Sequence, residues 1–227
     1  MKNTENLFKG KFLTEAKTFR LQLKKIRAYV YDWDGVFNDG HKNESGSSSF
    51  SEVDSMGTNL LRFSHYLEKA ELPFTAIITG EQNKTAASFS EREHFHALYA
   101  GIKNKYHALQ HFCNVNNIAT TEVAFIFDDV LDLSAAAHCG IRIMVIREAN
   151  PLLARYAKKK KLADYFTNAS GSNYAVRESA ELIMSLNGWY ENAVEHRVNY
   201  STQYQAYLEK RDAVVNRLIT TKDLSIQ

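Results

Sequence analysis

Eight positions carry side chains whose types and order suit one reaction: Asp32 and Asp34 in YVYDWDGVFNDG, Thr79 and Gly80 after PFTAII, Lys105 in GIKNKYHAL, and Asp128, Asp129 and Asp132 in FIFDDVLDL. Two carboxylates one residue apart at the end of an apolar run repel each other unless a cation lies between them. Asp32, Asp34 and Asp128 form a hard-oxygen set suited to Mg²⁺, with water completing the octahedron. A phosphate on that metal would be held by the Thr79 hydroxyl, the Gly80 turn, Lys105 and backbone N–H groups beyond Asp34. Asp32 is then placed to attack phosphorus and form an aspartyl-phosphate. Asp34 can protonate the leaving alcohol and later deprotonate water. The metal and Lys105 offset charge on the transferring group. Asp129 and Asp132 support this set or cap the helix that follows.

Such a reaction needs these residues on one edge of one sheet. Residues 27–32, 73–79, 96–100, 122–127 and 141–146 are short, apolar and bounded by turn residues or charge, the pattern of strands buried on both faces. Helical spacing fills 57–70, 82–94, 103–116 and 130–139. The alternation predicts an α/β fold, a doubly wound parallel sheet, whose chemistry gathers at the carboxyl ends of the strands. Residues 37–55, polar and glycine-containing, are expected to form a β-hairpin flap. Residues 189–219 contain neither proline nor glycine, which predicts a long C-terminal helix. The expected organisation is an N-terminal helical segment over 1–25, the catalytic domain over 26–187 and a C-terminal helical extension over 188–227. Neither the stretch from Asp34 to Thr79 nor that from Thr79 to Lys105 has room for a cap domain. A neighbouring subunit is therefore expected to wall the site.

Composition narrows the partners. The chain has 227 residues and a net charge of +2, so no nucleic-acid surface is announced. The run Lys158 to Lys161 reads as the solvated end of a helix. No stretch approaches the roughly 18 apolar residues of a membrane span. The N-terminus lacks the apolar core of a signal peptide. Two cysteines, Cys113 and Cys139, fit a reducing compartment, and the expected location is cytoplasmic. His94, His96, His107 and His111 lack the acidic or cysteine companions of a zinc site and read as solvated. Asp39 and Asp54 read as turn residues, and Arg177 as a partner of Glu178 or of a nearby loop.

The set DWDGV, TG, the later lysine and DDVLD resembles the haloacid-dehalogenase superfamily of phosphatases. Within it the sequence is similar to the capless subgroup typified by 3-deoxy-D-manno-octulosonate 8-phosphate phosphatase, through DWDGVFNDG, DSMGTNLL at 54–61 and SGSNYAVRE at 170–178. The similarity spans residues 26 to 187. It implies a Mg²⁺-dependent phosphatase for a small phosphate ester such as a sugar-acid phosphate, assembled as a homotetramer. Four positions depart from the subgroup: Trp33 stands for Val, Glu81 for Arg, Phe127 for Gly, and Ser172 with Asn173 where a second Gly is common. Glu81 and Phe127 leave a second function open, a binding or scaffold protein that kept the fold and lost its turnover.

Overall fold

The computed structural model of the chain describes residues 4–224. Its first half runs β1 (Lys11–Phe12), α1 (Ala16–Leu23), β2 (Ala28–Tyr31), α2 (Glu52–Lys69), β3 (Phe74–Ile78), α3 (Lys84–Arg92), β4 (Ala97–Ala100) and α4 (Lys105–Val115). There follow β5 (Val123–Phe127), α5 (Leu133–Ala136), β6 (Ile141–Met144), α6 (Pro151–Lys159), β7 (Tyr165–Phe166) and α7 (Ala175–Asn187). The chain continues through α8 (Tyr190–Val198), α9 (Thr202–Asp212), β8 (Arg217–Thr220) and α10 (Thr221–Leu224). The five strands expected from the apolar runs are β2 to β6.

All eight strands join one sheet in the order β1-β7-β6-β5-β2-β3-β4-β8. Every pairing is parallel except β1 with β7. Strand β2 is central, and the chain leaves it first toward β3 and β4, then returns on its other side through β5 and β6. That reversal opens a crevice beyond the carboxyl ends of β2 and β5. Side chains alternate across the sheet. Tyr29 and Tyr31 of β2 pack with α1, α2, α3, α7, α8 and α9. Ala28 and Val30 pack with α4, α5 and α6 on the other face.

Three features differ from the sequence expectations. Residues 38–50 form no strand, so the hairpin flap is a coiled loop instead. Asn43 Oδ1 accepts from the Ser45 and Ser47 N–H groups, which closes a local turn rather than a ladder. Phe50 then packs on Phe89 and Trp33, pinning the returning limb to the core. The expected long C-terminal helix is two helices and a strand. Tyr200 adopts the left-handed region at φ 46°, and Ser201 caps α9 by accepting from Tyr204 N–H at 3.2 Å. The last segment pairs with β4, burying Ile219 and leaving Val215 and Leu218 exposed. The N-terminal segment likewise holds a short strand, β1, beside its helix. No helix among the described residues is long and apolar enough to cross a membrane.

Candidate active site

The site grows from the end of β2. Asp32 N–H still donates to Ile126 O at 2.9 Å, so the strand pairing places this carboxylate beside the end of β5. Beyond it the chain turns sharply. Trp33 is fully buried, stacked on Phe37 at 4.9 Å and tilted against Phe89 at 5.5 Å. Burying so large a ring stabilises the turn by roughly 2–3 kcal/mol. Gly35 follows at φ +89°, and a Cβ there would collide with the Arg147 guanidinium and the Asp128 carboxylate. No other residue fits that turn without displacing the site.

Lys105 enters from the opposite side. Asn104 caps α4 by accepting from Tyr106 N–H at 3.1 Å, which fixes Lys105 as the first helical residue. Its ammonium bridges Asp32 Oδ1 and Asp132 Oδ1, each at 2.5 Å. Burial alone would push this lysine down, but the two carboxylates outweigh it and its pKa ends above the ordinary value. Asp132 Oδ2 accepts from the N–H of Asp129 at 3.0 Å and of Asp128 at 3.4 Å. Asp132 therefore ties Lys105 to the end of β5.

Asp128 is buried directly after β5, with Arg147 donating to its Oδ2. Its Oδ1 is buried without a hydrogen-bond partner. Burial first, and then the charges of Asp32 and Asp132, push the Asp128 carboxyl up, and Arg147 only partly opposes them. Asp32 is also raised, by burial and by Asp132, against the pull of Lys105. Asp32, Asp128 and Asp132 each place an oxygen within 4.8 Å of the others. A partnerless carboxylate oxygen among three crowded acids is a place where a hard divalent cation fits.

Asp34 stands outside that set. It was expected as a third metal carboxylate; the turn after Trp33 instead carries it toward the 38–50 loop. There its Oδ1 accepts from Ser48 Oγ at 2.5 Å and its Oδ2 from Lys42. Ser48 Oγ itself accepts from Trp33 Nε1 at 3.0 Å and from Asn83 Nδ2 at 2.7 Å. With two donors already pointing at it, the hydroxyl has one direction left for its proton, toward Asp34. Asn83 is held in turn, because its Oδ1 caps α3 through Thr85 and Ala86 N–H.

Thr79 and Gly80 follow β3 as expected. Thr79 N–H donates to Tyr99 O at 2.8 Å, and its buried hydroxyl accepts from Glu81 N–H at 3.4 Å. Asp129 does not reach the carboxylate cluster; it is exposed and caps the next turn through Val130 N–H at 2.7 Å. Phe127 points into the core, stacked on Phe125 at 5.4 Å, so its bulk replaces glycine without entering the site. Glu81 is exposed. Asp54 is no turn residue: it is fully buried and accepts from Arg177 N–H at 2.9 Å at the start of α7. The Arg177 side chain pairs with Glu181 at 2.7 Å rather than with Glu178. Gly171 packs so tightly on the turn that a Cβ would lie 2.4 Å from Gly35 O, bringing the closing block against the site. Among the described residues no histidine joins a cluster of three metal-ligating groups; His111, for example, meets Tyr99 Oη at 2.7 Å.

Lys42, Ser48, Asn83 and Arg147 also belong to the site, and no sequence motif marks them. Lys42 and Ser48 lie in the loop read as a flap, and Asn83 shows only a helix-cap signal. Arg147 follows β6 with no motif around it.

No family model matches the sequence. The chain is 29% identical over 174 residues to 3-deoxy-D-manno-octulosonate 8-phosphate phosphatase of Salmonella typhi, covering 75% of this chain and 85% of the relative. Among solved structures, one from Legionella pneumophila assigned to the haloacid-dehalogenase superfamily, subfamily III A, superposes with a TM-score of 0.67 at 29% identity, covering 81% of this chain and 95% of that one. The 3-deoxy-D-manno-octulosonate 8-phosphate phosphatase of Yersinia pestis superposes with a TM-score of 0.64 at 28% identity, covering 77% and 89%. The chain thus has a haloacid-dehalogenase fold and resembles those phosphatases in sequence.

Proposed function

We propose that this phosphoric monoester hydrolase of haloacid-dehalogenase type hydrolyses a small phosphorylated sugar acid, of the class of 3-deoxy-D-manno-octulosonate 8-phosphate, through a phosphorylated Asp32. The observation that carries the reading is the buried Asp32–Lys105–Asp132 bridge at the end of the central strand, beside the partnerless Asp128 Oδ1. A nucleophilic carboxylate must be ionised and held still; Lys105 favours the ionised form of Asp32 against burial and Asp132, and it fixes Oδ1 in place. Thr79 and the N–H groups beyond Asp34 supply donors for the phosphoryl oxygens. Asp34, aimed by Ser48, gives its proton to the leaving oxygen and later takes one from water. Asp32 and Asp128 would hold Mg²⁺, with Asp132 behind them. When bound, the ion supplies positive charge to the carboxylates and to the transferring group. The Phe127 ring lies in the core and does not disturb turnover chemistry; Glu81 is on the exposed side.

The test is hydrolysis of p-nitrophenyl phosphate and of a panel of sugar and sugar-acid phosphates, with Mg²⁺ and then with EDTA. Metal-dependent turnover that Asp32→Asn abolishes in a folded protein is expected. Substantial turnover by that variant would remove Asp32 from the nucleophile role, and no turnover on any ester would favour the binding protein.

A further inference from the structure

Arg147 lies three residues past β6 and reaches back over the D-x-D-G turn to the floor of the site. Its side chain is 32% exposed, while the Asp128 side chain that it contacts is 1% exposed. The guanidinium therefore runs from the mouth to the buried carboxylates. It is packed where a Cβ on Gly35 would stand, and 3.9 Å from where one on Gly40 would stand.

The charges around the site are unequally paired. Asp32 and Asp132 share Lys105. Lys42 is engaged with Asp34. Asp128 has Arg147 as its cation, on the edge where a divalent ion fits. Arg147 on Oδ2 and a divalent cation on the partnerless Oδ1 of one buried carboxylate would repel each other at that separation, so the loaded site favours a guanidinium that has moved away. Once Arg147 gives up Asp128, its planar fork of N–H donors stands near Gly40 at the mouth without a partner. That fork matches a carboxylate in two-point contact. Glu81, at the position where the resembling subgroup carries arginine, has the wrong sign to receive an anionic substrate.

We propose that Arg147 is a specificity-determining residue. It holds Asp128 in the unloaded protein, yields it to the divalent cation, and then binds a second anionic group, a carboxylate, on the phosphate-ester substrate. Cation and carboxylate-bearing substrate then favour each other, since each draws on the same displacement of one side chain. The inference rests on the phosphatase reading above.

The experiment has two arms. EDTA-stripped wild type, Arg147→Ala and Arg147→Gln are titrated with MgCl₂ by calorimetry. The same proteins are assayed on p-nitrophenyl phosphate and on a phosphorylated sugar acid such as 6-phosphogluconate. Without the competing guanidinium, both variants should bind Mg²⁺ about threefold or more tightly. The ratio of kcat/KM for the sugar-acid phosphate over p-nitrophenyl phosphate should fall about tenfold or more, the effect of one charge-assisted contact. Unchanged or weaker Mg²⁺ binding in both variants would overturn the displacement. An unchanged ratio would overturn the carboxylate contact. Wild type that binds Mg²⁺ but hydrolyses neither ester would count against the phosphatase reading, and the calorimetric arm would still decide whether Arg147 competes for Asp128.

Discussion

Replacing Lys105 with methionine should unbalance the site more than any other single change. The side chains of Lys105, Asp32 and Asp132 are 3%, 8% and 1% exposed, so water cannot take over the role of the ammonium. Methionine nearly matches the lysine stem in volume, which keeps the cavity cost small. What is lost is the cation between two buried carboxylates. Removing one partner of such a pair costs about 3–5 kcal/mol, against about 5–15 kcal/mol for the stability of a typical domain. The loss must depend on pH. Even with Lys105 present, the Asp32 carboxyl is pushed up to about 6, by burial and by Asp132. Without the lysine it rises further above its unfolded value of roughly 4. A carboxyl raised in the folded state favours folding while protonated, so the penalty grows as pH rises through that window. Urea unfolding in EDTA, followed through the buried Trp33, should show a large fall in midpoint at pH 8 and a smaller one at pH 5. Lys105→Met/Asp132→Leu, which removes one of the two stranded carboxylates, should recover part of the loss at pH 8, and so should added Mg²⁺. A loss below about 1 kcal/mol at pH 8, or one equal at both pH values, would refute the account.

Ser48→Ala should lower kcat about tenfold with KM little changed, because it removes the donor on Asp34 Oδ1, leaving only Lys42 on Oδ2, while the phosphate contacts stay in place; an equal rise in KM would point to a role in binding instead. His65 is buried and pushed down to about 3, by burial and by Lys69 and Arg27. Its contribution is therefore present above the unfolded value near 6.5 and is lost as pH falls toward 3, by up to about 4–5 kcal/mol. His65→Gln should flatten the acid limb of stability between pH 6.5 and 4, and an acid limb identical to wild type would show that other groups govern it.

The parts of the fold visible in the sequence are those buried on both faces. Strands β2 to β6 are short apolar runs because both faces of the sheet are covered, so each strand carries its own signal. Strands β1, β7 and β8 lie toward the edges. The first two have two residues each, too few for any period to show. In β8 only Ile219 is buried, and the exposed Val215 and Leu218 gave it a false helical spacing. The break at Tyr200 was hidden because it uses a left-handed tyrosine and a serine cap rather than glycine or proline. The site divides in the same way. Asp32, Thr79, Lys105 and Asp128 follow strand ends and could be read in chain order. Ser48, Asn83 and Arg147 act through contacts between loops far apart in sequence, and single-residue patterns carry no trace of such contacts.

Strand β4 pairs on one side with β3, made just before it, and on the other with β8, made about 120 residues later. At a synthesis rate of about 5–20 residues per second, one flank of β4 waits roughly 6–25 seconds for its partner on the ribosome. Throughout that interval the nascent sheet presents the backbone of an apolar strand, Ala97–Ala100, as an open edge. Nascent-chain survival should therefore depend on what shields this edge, and translation pauses between α4 and β8 should lengthen the exposure and lower soluble yield without altering the finished enzyme.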